Sequence, residues 1–110
     1  MSRRIQKINE LLRQEISSLI LKELDFKRDV IITVTKVETY PDLNKAKVGI
    51  SILPFSKAEQ VLRVLNSKNS DIQRSLHQKL RMMKIIPKIK FKLDSSAEKI
   101  SRVEQLLKKQ

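Results

Sequence analysis

The chain has no cysteine, no tryptophan and a single glycine in 110 residues. Without cysteine, disulfides, zinc–thiolate sites and thiol catalysis are excluded together. One glycine, Gly49, excludes a glycine-rich loop whose backbone amides would cradle a phosphate. Aromatics make up 4% of the chain, so the core must be aliphatic and few rings are left for stacking. No apolar run approaches the roughly 18 residues that a membrane-spanning helix needs. Met1-Ser2-Arg3-Arg4-Ile5 is not followed by a continuous apolar stretch, so no signal peptide is expected. A soluble, cytoplasmic chain is expected, with no membrane partner. The only histidine, His77, falls mid-helix without triad partners, and Asp94 and Glu98 read as a strand end and a helix cap. No catalytic residue, metal ligand, cofactor or small-molecule substrate is expected.

What is abundant is positive charge. Lysine and arginine number 24 against 12 acidic residues, a net charge of +12. Self-repulsion of that size destabilises a small compact domain, and an anionic partner relieves it. Nucleic acid is the leading candidate, and an anionic membrane surface the second. The length suits one domain, and 40% hydrophobic residues suffice for one small core. Residues 1–96 read as that domain and 97–110 as a C-terminal helix or flexible tail.

Ile5, Ile8, Leu12, Ile16, Leu19 and Ile20 recur at three- and four-residue steps, which predicts an amphipathic helix over 4–24. Residues 30–40 are rich in Val, Ile and Thr and read as a strand. Its parity is imperfect: Val30, Ile32 and Val34 share a face that Val37 does not. A central strand buried on both sides explains this, and so does a β-bulge; the central strand is preferred. Pro41-Asp42-Leu43-Asn44 turns the chain. Residues 45–53 alternate cleanly as a second, antiparallel strand. Ser56-Lys57-Ala58-Glu59 and Ser70-Asp71-Ile72-Gln73 match capping boxes, predicting helices to about Leu65 and about Met83 with a kink at 66–69. Lys88-Ile89-Lys90-Phe91-Lys92-Leu93 alternates as a third strand, parallel to the second because two helices join them. Ser95-Ser96-Ala97-Glu98 offers a third capping box before a helix over 97–109. Helices on one sheet face only are implied, leaving an open face that carries Lys45, Lys47, Lys88, Lys90 and Lys92.

Val34-Thr35-Lys36-Val37-Glu38, Pro41-Asp42-Leu43, Ala46-Lys47-Val48 and Ser51 follow one another in order. A second block holds Pro87, Ile89, Phe91, Asp94 and Ser96, and Arg102 to Leu107 forms its tail. In these blocks the chain resembles bacterial ribosome-binding factor A over nearly its whole length. The resemblance implies an α+β, K-homology-like type II fold. Its order would be α-β-β-α-kink-α-β plus a short C-terminal helix, with a three-stranded mixed sheet. It also implies a non-catalytic, monomeric assembly factor. Such a factor binds the small ribosomal subunit and its rRNA, and supports late maturation and rRNA processing, particularly in the cold. The Gly-x-x-Gly clamp of K-homology RNA readers is absent. Lys68-Asn69-Ser70 stands where the family usually has an Ala-x-Gly kink, and Asp25-Phe26-Lys27 where it has Asp-Pro-Arg.

Four basic groups are candidate RNA contacts. The open-face lysines 45, 47, 88, 90 and 92 are spaced to track a phosphate backbone. Lys68, Asn69, Ser70 and Arg74 surround the kink at a helix start. Lys79, Arg81 and Lys84 extend toward the third strand, and Arg3, Arg4 and Lys7 sit on the first helix. Each has a plainer alternative: solvated lysines that keep an open face soluble and block edge pairing, ordinary capping, or a solvated helix face. Tyr40, Phe26 and Phe55 read as turn packing, so phosphate and shape recognition is expected over base stacking. A protein-interaction module and a generic polyanion binder with the same fold are the competing functions.

Overall fold

A computed structural model describes residues 3–23 and 30–94. The elements run α1 (Arg3–Glu23), β1 (Ile31–Thr39), β2 (Lys45–Leu53), a 3-10 turn (Phe55–Lys57), α2 (Ala58–Ser67), α3 (Asn69–Lys79) and β3 (Lys88–Leu93). The sheet order is β1-β2-β3, with β2 antiparallel to β1 and parallel to β3. This is the three-stranded mixed sheet of an α+β fold, and the helices cover one of its faces. The expected C-terminal helix, its capping box and the Asp25-Phe26-Lys27 segment lie outside the described residues.

Burial follows side-chain parity. Val48, Ile50 and Phe91 from the sheet meet Leu12 and Ile16 of α1, Leu65 of α2, and Ile72 and Leu76 of α3, all at most 2% exposed. β1 corrects the preferred sequence reading, because it is an edge strand and β2 is the central one. The pairing shifts between Val34 and Lys36, so Thr35 is the extra residue of a bulge. That insertion puts Val34 and Val37 on the same, core-facing side.

Gly49 lies opposite the bulge. A Cβ there would stand 3.1 Å from Thr35 Oγ1 and 3.4 Å from the Lys36 side chain. Thr35 Oγ1 itself donates to the Gly49 carbonyl at 3.1 Å. Gly49→Ala is therefore expected to cost about 1 kcal/mol. In a Thr35→Ala background it should cost less than half as much, a coupling that a double-mutant cycle measures directly.

Two of the expected capping boxes do not form. The 3-10 turn precedes α2, and the Lys57 and Ala58 amides donate to the Pro54 and Phe55 carbonyls. Lys57 is the N-cap of α2, without a side-chain cap bond. At the kink, Lys68 alone separates α2 from α3, and the Ile72 amide donates to the Lys68 carbonyl at 3.0 Å. Lys68 is the N-cap of α3, again without a side-chain cap bond. Ser56 lies within the 3-10 turn and Ser70 within α3, so neither serine stands at an N-cap position. The helix expected to reach Met83 ends at Lys79, and an i,i+3 turn from Leu80 carries Met83 toward the core.

Gln73 and Asn69 act elsewhere. The amide and carbonyl of Ile89 in β3, and the carbonyl of Pro87 just before it, point away from β2, toward the free edge, since Lys88 and Asp94 bond to β2 and its flank. Gln73 Oε1 accepts from the Ile89 amide at 2.9 Å, and Gln73 Nε2 donates to the Pro87 carbonyl at 3.0 Å. Asn69 Nδ2 donates to the Ile89 carbonyl at 3.1 Å. The two side chains stand in for a fourth strand. At the opposite edge, Asn9 Oδ1 of α1 accepts from the Thr39 amide at 2.9 Å. Helix-borne carboxamides thus cap both edges of the sheet, one way of protecting an edge from pairing with another chain.

Candidate nucleic-acid interface

The strand register sorts the open face into rows. Lys45 is the Cα partner of Lys88, and Lys47 of Lys90. Neighbouring strands lie about 4.8 Å apart and alternate residues about 6.7 Å apart along a strand. Four ammonium-bearing side chains therefore rise from a patch of two strands by three residues. Like charges directly opposite one another are destabilising, and two such pairs stand side by side here.

The turn 41–44 holds Tyr40 at the end of this array. The Tyr40 amide donates to the Lys45 carbonyl at 2.9 Å, and the Leu43 amide to the Tyr40 carbonyl at 2.8 Å. Asp42 Oδ1 accepts from the Asn44 amide at 3.0 Å, and Leu43 takes the left-handed conformation at φ 63°. Thr39 is buried on the core side, so Tyr40 shares the open face. Tyr40, Lys45, Lys47, Lys88 and Lys90 line one shallow concavity.

Lys88 lines a second groove as well, with Asn69, Ser70, Gln73, Arg74 and His77 of α3. The strand lysines and the kink group, far apart in sequence, are thus one surface joined at Lys88. Gln73 also links the groove wall to His77. The Ile89 amide must meet Oε1, so Gln73 Nε2 faces His77 Nε2, 3.2 Å away.

The other end of the face has a different character. Lys92 shares a concavity with Lys36, Lys47, Glu38 and Asp94. Lys36 Nζ lies 3.0 Å from Glu38 Oε1. The hydrogen bond from Lys36 to Glu38 raises the pKa of that lysine above its ordinary value. The charge of Glu38, and less strongly that of Asp94, acts in the same sense. Beyond it the face ends in Ile31 and Leu53, cross-strand partners that are both exposed. The positive potential is thus concentrated where β2 and β3 begin.

Of the four candidate groups, the structure brings together Lys45, Lys47, Lys88, Lys90, Ser70 and Arg74. Asn69 lines the same groove but spends its amide nitrogen on β3. Lys68 is exposed at the kink. Lys79, Arg81 and Lys84 are exposed at the end of α3 and in the connection to β3, and line neither concavity. Arg3, Arg4 and Lys7 belong to the helical layer, behind the sheet. Further along α1, Arg13 is paired with Glu10 at 2.6 Å. Tyr40, read from the sequence as turn packing, is bonded within the turn and half-exposed on the lysine face. Counting on by twos from Glu38 would have put it on the lysine face.

Among the described residues, no group of three or more His, Cys, Asp or Glu could hold a metal ion. No described helix is long and apolar enough to cross a membrane.

The ribosome-binding factor A family model matches residues 4–107. A ribosome-binding factor A from Thermodesulfovibrio yellowstonii is 37% identical over 106 residues, covering 96% of this chain and 89% of that one. One from Chlorobaculum tepidum is 36% identical over 110 residues, covering 98% and 91%. The crystal structure of ribosome-binding factor A from Thermus thermophilus superposes with a TM-score of 0.68. At 19% identity, covering 81% of this chain and 94% of that one, it attests the fold. With its own blocks, strand order and near-complete coverage all in agreement, the chain belongs to the ribosome-binding factor A family.

Proposed function

We propose that this chain is a non-catalytic ribosome-binding factor that acts in the cytoplasm as a monomer. It binds the small ribosomal subunit or its precursor RNA and assists late 16S-type rRNA processing and subunit maturation, with its greatest use in the cold. The observation that carries the reading is the register Lys45–Lys88 and Lys47–Lys90 on an uncovered sheet face. Two like-charged pairs held side by side are relieved by a bound polyanion. Without a glycine clamp, phosphate contacts fall to these side chains and to Arg74. Lysine is suited to them because it meets phosphate as a point charge and reads no base edges.

Such a factor works by binding alone. It shifts the RNA between folds only as far as its affinity for the two folds differs. Four to five phosphate contacts predict that log affinity falls with log salt with a slope of about −3 to −4. The test is co-sedimentation with small subunits, large subunits and unrelated duplex RNA at low and near-physiological salt. Preference for small subunits that persists at the higher salt supports the reading. Equal binding to all three that vanishes with salt leaves a generic polyanion binder. The exposed pair Ile31 and Leu53 favours a second reading, a protein-interaction module. Association with a purified protein that survives nuclease treatment would select it.

A further inference from the structure

We propose that Tyr40 and the lysines around it form a docking site for one unpaired RNA nucleotide. The base lies against the Tyr40 ring, and its flanking phosphates are held by Lys45 and Lys88. The inference deepens the RNA-binding reading above and rests on it.

Three observations carry it. First, Tyr40 is half-exposed, at 47%, on the open face beside Lys45 and in the same row as Lys88. It lines a concavity together with four lysines. Second, the platform is fixed. Hydrogen bonds of the Tyr40 amide and carbonyl, to Lys45 and from Leu43, hold its backbone on both sides. Little ordering is left for a ligand to impose. Third, the remaining polar lining of that concavity is lysine, and no carboxylate shares it. The neighbouring concavity, with Glu38 and Asp94, contrasts with it.

The chemistry of the ligand follows. Ammonium groups attract phosphate oxygens of any polyanion. An aromatic face adds affinity only for a π-surface, and every base offers one. Bases in a duplex are stacked on one another and closed to the ring, whereas unpaired bases in loops, bulges and ends are splayed out. A ring set among lysines therefore selects unpaired RNA over duplex RNA and over a plain polyphosphate. Beyond Lys88 the groove containing Arg74 gives the strand a path off the sheet.

The sequence supplies the probe. Tyr40 is the only tyrosine and there is no tryptophan, so the near-ultraviolet emission of the protein comes from this one side chain. The full chain would be titrated with a single-stranded RNA oligomer, a duplex RNA of the same length and inorganic polyphosphate. All three are expected to bind with salt dependence, and only the single strand should quench the emission. Tyr40→Leu should weaken single-strand binding about tenfold and leave polyphosphate affinity unchanged, with far-ultraviolet circular dichroism verifying the fold. Tyr40→Phe should bind nearly as the parent does. Single-strand binding without quenching, equal quenching by polyphosphate, or an unaltered Tyr40→Leu affinity would each overturn the site. Intact quenching without any small-subunit preference would remove the ribosomal reading and leave the site standing.

Discussion

Asn69→Ala/Gln73→Ala is expected to lower stability by about 3 kcal/mol and the melting temperature by roughly 10–20 °C. The substitution removes three hydrogen bonds that cap the free edge of β3. It leaves the Ile89 amide and carbonyl and the Pro87 carbonyl without partners, although both residues are buried. A buried backbone group left unpaired costs its desolvation as well as its bond. Thermal or denaturant unfolding measures the loss, and hydrogen exchange at the Ile89 amide should accelerate before that of β2. Ser70→Ala is the control. Were Ser70 the cap of α3, that change would cost about 1 kcal/mol. The structure assigns Ser70 no cap bond, so it is expected to cost under about 0.5 kcal/mol.

The second large effect concerns binding. Lys45→Glu/Lys88→Glu is expected to weaken RNA binding by roughly 100-fold at low salt and to reduce the salt slope by at least about 1.4, two single-strand phosphate contacts. Both residues are exposed and occupy one cross-strand pair. Their replacement trades one like-charge pair for another, so the fold should be retained. Lys7→Glu/Lys79→Glu changes the net charge equally, on exposed positions away from the sheet face. It is expected to weaken binding several-fold at most. Equal losses in the two variants would show that net charge, and no particular face, governs binding. Titrations across a salt series separate these outcomes.

The two opening predictions bear on residues of very different legibility. The lysine face was readable because β2 and β3 alternate without fault, and a period of two identifies the side of each lysine. Their register was not: nothing local in the sequence says that Lys45 stands beside Lys88. The β1 bulge left a trace in the three-residue interval from Val34 to Val37. It left a second in the lone glycine opposite it, which becomes meaningful only once Gly49 is paired with Lys36. Gln73 was misread for a physical reason. A Ser-x-x-Gln pattern fits a capping box, but α3 starts two residues earlier, with Lys68 as its N-cap, so Ser70 already lies inside the helix. The Gln73 carboxamide instead meets Pro87 and Ile89, 14 and 16 residues away, partners that no local pattern reveals. The face of Tyr40 follows by parity from Glu38, but its place beside Lys88 and Lys90 does not, because that depends on the register of β2 with β3.

The most direct test of the central claim, that RNA meets the starting end of β2 and β3, is lysine footprinting. The protein would be treated with an amine-reactive reagent, free and bound to small ribosomal subunits, and the labelling of each lysine compared. Lys45, Lys47, Lys88 and Lys90 are expected to lose labelling several-fold on binding, while Lys7, Lys79 and Lys84 label as in the free protein. Protection of Lys7, Lys79 and Lys84 with the four sheet lysines still reactive would contradict the account and move the interface to the helical layer.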